Sequence, residues 1–176
     1  MSKPPTAPKV SSLNDLLAAA WLIESDAVDR YNLLADQMET HNNPELVKVF
    51  RDLARAEGIH GEEIRRLAGD FDVVGYARQT ARIENIGLPA EVEIDSAHYL
   101  MTPWHALQMS LAGEKRALAY FTHIAETATD PKVKAMAMEL MEEEVEHVNL
   151  VNRLLHRYPQ PDDSWADDPD PPASPE

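Results

Sequence analysis

The sequence predicts an all-α protein, an antiparallel four-helix bundle with one long crossover between the second and third helices. Three observations carry this. The pairs Asn43-Pro44, Thr102-Pro103 and Asp130-Pro131 read as N-cap followed by first helical position, where proline loses no hydrogen bond. Apolar residues recur at spacings of three and four through four long segments. The segments are joined in pairs by short turns, while residues 69–101 separate one pair from the other.

The first helix is expected over about 12–40, with Ser12 capping Leu13-Asn14-Asp15. The second spans about 44–68, its stripe formed by Leu46, Val49, Phe50, Leu53, Ile64 and Leu67. The third covers about 102–129. The fourth covers about 131–157, with Val133, Met136, Leu140, Val148, Val151, Leu154 and Leu155 facing inward. Met109, Met136, Met138 and Met141 read as core filler. Each pair folds back as a hairpin. The link over 69–101 contains Gly69, Gly75, Gly87 and Pro89. It is long enough to run the length of a bundle and can hold a short helix around 73–83. The Pro-rich arm 1–11 and the acidic tail 158–176 are expected to be disordered, leaving 12–157 as the bundle.

The 176 residues suit a single domain. There is no cysteine, which excludes disulfides, thiolate metal sites and cysteine nucleophiles. Any metal must be held by Glu, Asp or His. A net charge of −15 argues against a nucleic-acid partner. The longest apolar run, Leu16–Ile23, is far shorter than the roughly 20 residues of a membrane span, and Met1–Val10 has no apolar leader. The expectation is a soluble cytoplasmic protein with no membrane partner.

The two hairpins repeat each other. At an offset of 87, Leu53, Glu57, His60, Ile64 and Leu67 fall on Leu140, Glu144, His147, Val151 and Leu154. At an offset of 90, Glu24, Val28, Tyr31, Leu34 and Ala35 fall on Glu114, Leu118, Phe121, Ile124 and Ala125. Core packing alone does not require acids and a histidine to stay in step.

Glu57-Gly58-Ile59-His60 and Glu144-Val145-Glu146-His147 are both Glu-x-x-His. At that spacing one carboxylate and one imidazole share a helix face and can hold the same metal ion. Glu24 and the Glu57/His60 pair are equidistant from the Asn42-Asn43 turn, and Glu114 and Glu144/His147 from the Thr129-Asp130 turn. Packed about a common axis, the hairpins bring four glutamates and two histidines to one level. Burying that set needs cations, and hard oxygen donors with some imidazole suit iron or manganese. Surface acids would avoid these positions: Glu57 and Glu144 each lie four after a core leucine, and Glu114 sits between Leu111 and Leu118. Glu62, Glu63 and Glu126 read as solvated; Glu139, Glu142, Glu143 and Glu146 read as the wet face of the fourth helix, with reach into the site as the alternative. His41, His98, His105, His123 and His156 read as surface or ordinary packing residues.

One Glu on each of two helices, with Glu-x-x-His on the other two, is the ferritin-like di-iron pattern. The stretches Glu24-Ser-Asp-Ala-Val-Asp-Arg-Tyr31 and Leu53-Ala-Arg-Ala-Glu57-Gly-Ile-His60 resemble the rubrerythrin branch of that superfamily. So do Ala106-Leu107, Glu114, Ala117, Tyr120-Phe121, Ala125 and Glu143-Glu144-x-x-His147, and the likeness covers about residues 12–157. The resemblance implies a di-iron centre that reacts with peroxide or dioxygen, often in a dimer. It carries the metal-ligand role to Glu24, Glu57, His60, Glu114, Glu144 and His147. Tyr31 resembles the tyrosine that lies beside the centre in that family; the plainer reading is a core aromatic whose hydroxyl finds a carboxylate. Two departures stand out. Rubrerythrins end in a small domain whose four cysteines hold an iron, which this sequence lacks, so an external electron donor is implied. They also place a glutamate three residues after the third-helix ligand, where Ala117 stands here.

The functional expectation is a di-iron carboxylate oxidoreductase, of peroxidase or oxidase type, acting in the response to oxidative stress. It would bind two iron ions per chain, with manganese or zinc as possible substitutes, and form a homodimer or higher homo-oligomer. The alternative is iron handling, as a ferroxidase or a storage protein.

Overall fold

The computed structural model describes residues 10–84, 102–162 and 164. Five helices form in order: α1 Leu13–Thr40, α2 Pro44–Ala68, α3 Val73–Glu84, α4 Pro103–Thr127 and α5 Pro131–Leu155. The caps act as the sequence implies. Ser12 Oγ accepts from the Asp15 N–H at 3.1 Å, Asn43 Oδ1 from Leu46 at 3.0 Å, and Asp130 Oδ1 from Lys132 at 2.8 Å. At α4 the contact runs the other way: the Thr102 N–H donates to Nδ1 of His105 at 3.3 Å, so His105 helps to cap a helix.

Two hairpins pair along their lengths, α1 with α2 and α4 with α5, and α3 folds back against α1. Asn42 turns the first hairpin at a φ of 51°, a left-handed conformation that asparagine tolerates better than most residues. The C-terminal end of α5 is tied to the start of α2, because Arg157 and Tyr158 both bind the Glu45 carboxylate. The crossover over 85–101, with His98, Gly87 and Pro89, lies outside the described residues. So do residues 1–9 of the N-terminal arm, and residues 163 and 165–176 of the acidic tail.

The core comes in two parts. One cluster packs Leu16–Ile23 of α1 with Ile64, Val73, Ala117, Phe121, Val133 and Leu140. The other packs Ala27, Tyr31, Leu34 and Met38 of α1 with Phe50, Leu53, Leu107, Leu111 and Val151. In each of the four long helices, the residue that separates the two clusters along the chain is a buried glutamate: Glu24, Glu57, Glu114 or Glu144. Phe50 and Phe121 are fully buried, one in each part, and truncating either to alanine costs about 3–5 kcal/mol.

Two stripe assignments change. Leu67 is 54% exposed and Met138 is 43% exposed. Leu67 belongs to the last turn of α2, where the bundle no longer covers it. Met138 follows buried Ala137, and one position further round a helix turns a side chain away from the core.

Candidate metal centre

The four glutamates lie inside because of their helix positions. Glu57 and Glu144 each stand one turn after a buried leucine, Leu53 or Leu140, and Glu24 and Glu114 stand between apolar residues of both clusters. None is more than 4% exposed. The two Glu-x-x-His pairs add His60 and His147 at the same level. The imidazole rings of these histidines stack, with centroids 5.5 Å apart, so α2 and α5 present their motifs to each other.

Two groups of three residues have donor atoms within 4.8 Å of one another: Glu57, His60 and His147, and Glu114, Glu144 and His147. His147 Nδ1 lies 3.2 Å from Glu57 Oε1, 3.4 Å from Glu114 Oε2 and 3.8 Å from Glu144 Oε2. His60 Nδ1 lies 3.4 Å from Glu57 Oε2. Glu24 belongs to neither group of three. It is buried beside Glu57, close enough for the two charges to oppose each other. Glu143, expected on the wet face, brings Oε2 to 4.0 Å from His60 Nδ1 and so stands at the rim.

The electrostatics are those of a crowded anionic site. Burial pushes the Glu24 carboxyl well above its ordinary range, and the charge of Glu57 adds to this. Burial and the charges of Glu114 and Glu57 push Glu144 up to about 10. Burial would also raise Glu114, but the neighbouring His147 ring, the Arg30 charge and the Tyr31 hydroxyl hold it below its ordinary value. His60 is raised chiefly by the Glu57 carboxylate close beside it, against the opposing effect of burial. Burial works against the charged form of His147, yet Glu114 and Glu57 raise it overall.

Both oxygens of Glu57, Oε2 of Glu144, and Nδ1 of His60 and His147 are buried without a hydrogen-bond partner. Their close pairs are near enough but not aligned for hydrogen bonds. Buried polar atoms left unpaired are costly. These point at one another across a shared space, and cations would satisfy them together. The donor set, carboxylate oxygen with two imidazoles, is one that iron or manganese accepts. The residues present therefore fit metal binding.

Tyr31 lies at the edge of this layer. Its hydroxyl donates to Glu114 Oε1 and accepts from Ser110 Oγ at 2.9 Å, and its ring stacks on Phe50. Sequence reasoning missed Arg30 and Ser110. Arg30 is buried, with Nη2 3.4 Å from Glu114 Oε1. A signal was present: Arg30 falls three after Ala27 and four before Leu34, on the apolar stripe of α1. Ala117, where a seventh carboxylate was sought, is buried in the apolar cluster. Among the described residues, no helix is long and apolar enough to cross a membrane.

Comparison with known proteins follows the same line. The family model for rubrerythrin matches residues 15–100. The chain is also similar to an uncharacterized conserved protein from Magnetospirillum magnetotacticum MS-1, known from a crystal structure at 2.00 Å resolution. The two share 35% identity and superpose with a TM-score of 0.71, over 86% of this chain and 98% of that one. No curated protein matches the chain.

Proposed function

Since the chain belongs to the rubrerythrin family of ferritin-like di-iron proteins, we propose that it is an oxidoreductase that reduces hydrogen peroxide or dioxygen. It would act in the cytoplasm, as a homodimer or larger homo-oligomer. Two iron ions per chain would be held by Glu24, Glu57, His60, Glu114, Glu144 and His147. The observation that carries this reading is the layer of four buried carboxylates and two half-buried imidazoles, in which donor atoms of Glu57, Glu144, His60 and His147 lack hydrogen-bond partners.

When bound, iron supplies the electrons and a binding position for the oxygen species. The chain supplies the rest. Glu57, facing both histidines, is placed to bridge the two halves of the site. Glu114 has one oxygen engaged by Tyr31 and Arg30, and turns the other toward His147. The Tyr31 hydroxyl donates to Glu114 while its oxygen accepts from Ser110, which fixes its proton on the Glu114 side. The two apolar clusters close the layer on both sides and limit water. The chain has no cysteine, so no thiolate iron site within these residues relays electrons, and a donor outside them would supply the electrons.

The test is anaerobic loading with ferrous ion followed by stopped-flow mixing with peroxide or with dioxygen. Faster reoxidation by peroxide, with turnover once a reductant is added, is the expected result. Much faster reoxidation by dioxygen, without turnover, would make the protein an iron-oxidising one. No reoxidation by either would overturn the proposal.

A further inference from the structure

Arg30 places a full positive charge in the interior, 7% exposed. Its Nη2 lies 3.4 Å from Glu114 Oε1, and the guanidinium stands over the Tyr31 ring at 5.4 Å. The same carboxylate oxygen accepts from the Tyr31 hydroxyl. Glu114 is thus held from outside by one oxygen while the other faces His147. Gly113 provides the room. A Cβ at that position would lie 2.6 Å from Arg30 Cζ, so a larger residue there would have to displace the guanidinium.

The internal repeat shows how one-sided this is. At the offset of 90, Glu24 corresponds to Glu114, but Arg30 corresponds to Tyr120, Tyr31 to Phe121, and Ser110 to Ala20. The Tyr120 hydroxyl is buried without a hydrogen-bond partner, so it does not hold Glu24 as Arg30 holds Glu114. The two halves match in their acids and histidines and differ in what stands behind them.

We propose that Arg30 is a positioning residue that makes the two halves of the centre electrically unequal, its fixed charge favouring the reduced state from the Glu114 side. The inference rests on the di-iron reading. Removing an electron from an ion near a fixed positive charge is harder, and burial keeps solvent and salt from screening the effect. Arg30 also limits Glu114 to one inward oxygen.

The experiment is a potentiometric titration of the iron-loaded full-length protein, with iron content measured on each sample. Arg30→Met keeps the apolar stem and removes the charge. It should lower the midpoint potential, reducing the ratio of reduced to oxidised protein at a fixed potential by about tenfold or more. Arg30→Lys should stay near the parent. Gly113→Ala keeps every charge but pushes the guanidinium away, and should lower the potential to an intermediate value. Full iron content with an unchanged potential in Arg30→Met overturns the inference alone. So does an equal fall in Arg30→Lys and Arg30→Met, which would mean shape matters and charge does not. If Arg30→Met fails to fold or load, Gly113→Ala decides, and an unchanged potential there is equally fatal. A parent protein that takes up fewer than two iron ions overturns the di-iron reading, and this inference with it.

Discussion

The imidazole rings of His60 and His147 stack with their planes 12° apart, although the residues come from different hairpins. This brings the two Glu-x-x-His motifs face to face. Each ring turns its Nδ1 toward Glu57, at 3.4 Å from His60 and 3.2 Å from His147. One carboxylate therefore serves both halves.

Metal content follows first. Anaerobic loading with ferrous ion should give two ions per chain by elemental analysis. One ion or none would refute the six-ligand assignment. Manganese or zinc in a recombinant sample would leave it standing, since affinity alone does not select iron.

Glu144→Gln separates the metal role from the structural one. With its carboxyl pushed up to about 10, Glu144 is neutral at pH 7 in the metal-free protein, and glutamine copies its shape and its lack of charge. The metal-free melting temperature should change little, by less than about 1 kcal/mol in stability. Metal uptake should fall by half or more. Parent-like uptake, measured by titration with ferrous or cobaltous ion, would remove Glu144 from the ligand set.

The metal-free protein should lose the stability contributed by its raised carboxyls as pH rises above about 4.5, and that of its raised histidines above about 6.5. Glu24 and Glu144 are raised from their ordinary value of 4.5. The folded state therefore holds protons that the unfolded chain has released, and stability falls across that interval. His60 and His147 are raised from 6.5, so their contribution is full below that pH and is lost above it. Glu114, being lowered, contributes above about 4.5 and is lost in acid. Metal binding runs the other way, because ions displace those protons. The gain in melting temperature on loading should grow between about pH 5.5 and 8. A gain that shrinks over that range would contradict the site.

Tyr31→Phe keeps the ring against Phe50 and removes the hydroxyl shared by Glu114 and Ser110. A loss of about 1–2 kcal/mol of stability is expected. Reoxidation of the diferrous protein by peroxide should slow several-fold at unchanged iron content. Unchanged rates would reduce Tyr31 to a packing residue.

Much of this was legible because the relevant signals are local. Ser12, Asn43 and Asp130 announce helix starts through chemistry that acts over three residues. The inward direction of Glu57 and Glu144 follows from Leu53 and Leu140 one turn earlier. What stayed hidden depends on the register between hairpins. Arg30 lies visibly on the apolar stripe of α1, but its partner Glu114 is 84 positions away, and no local rule links them. The use of Gly113 as space for a guanidinium is equally non-local. Glu143 is on the wet face as read, its side chain 44% exposed, and only the stagger of α5 against α2 decides that it also comes within 4.0 Å of His60.

The division of the core has a mechanical meaning. The polar layer is a seam across the bundle, with an oily block on either side and four helical backbones running through it. In the metal-free protein the unpaired polar atoms of the seam bind the blocks together weakly, so the blocks should melt partly apart from each other. Bound cations would rivet the blocks together. Loading should then sharpen the unfolding transition as well as raise its midpoint, so that two probes, one placed in each block, report one event where the empty protein gives two.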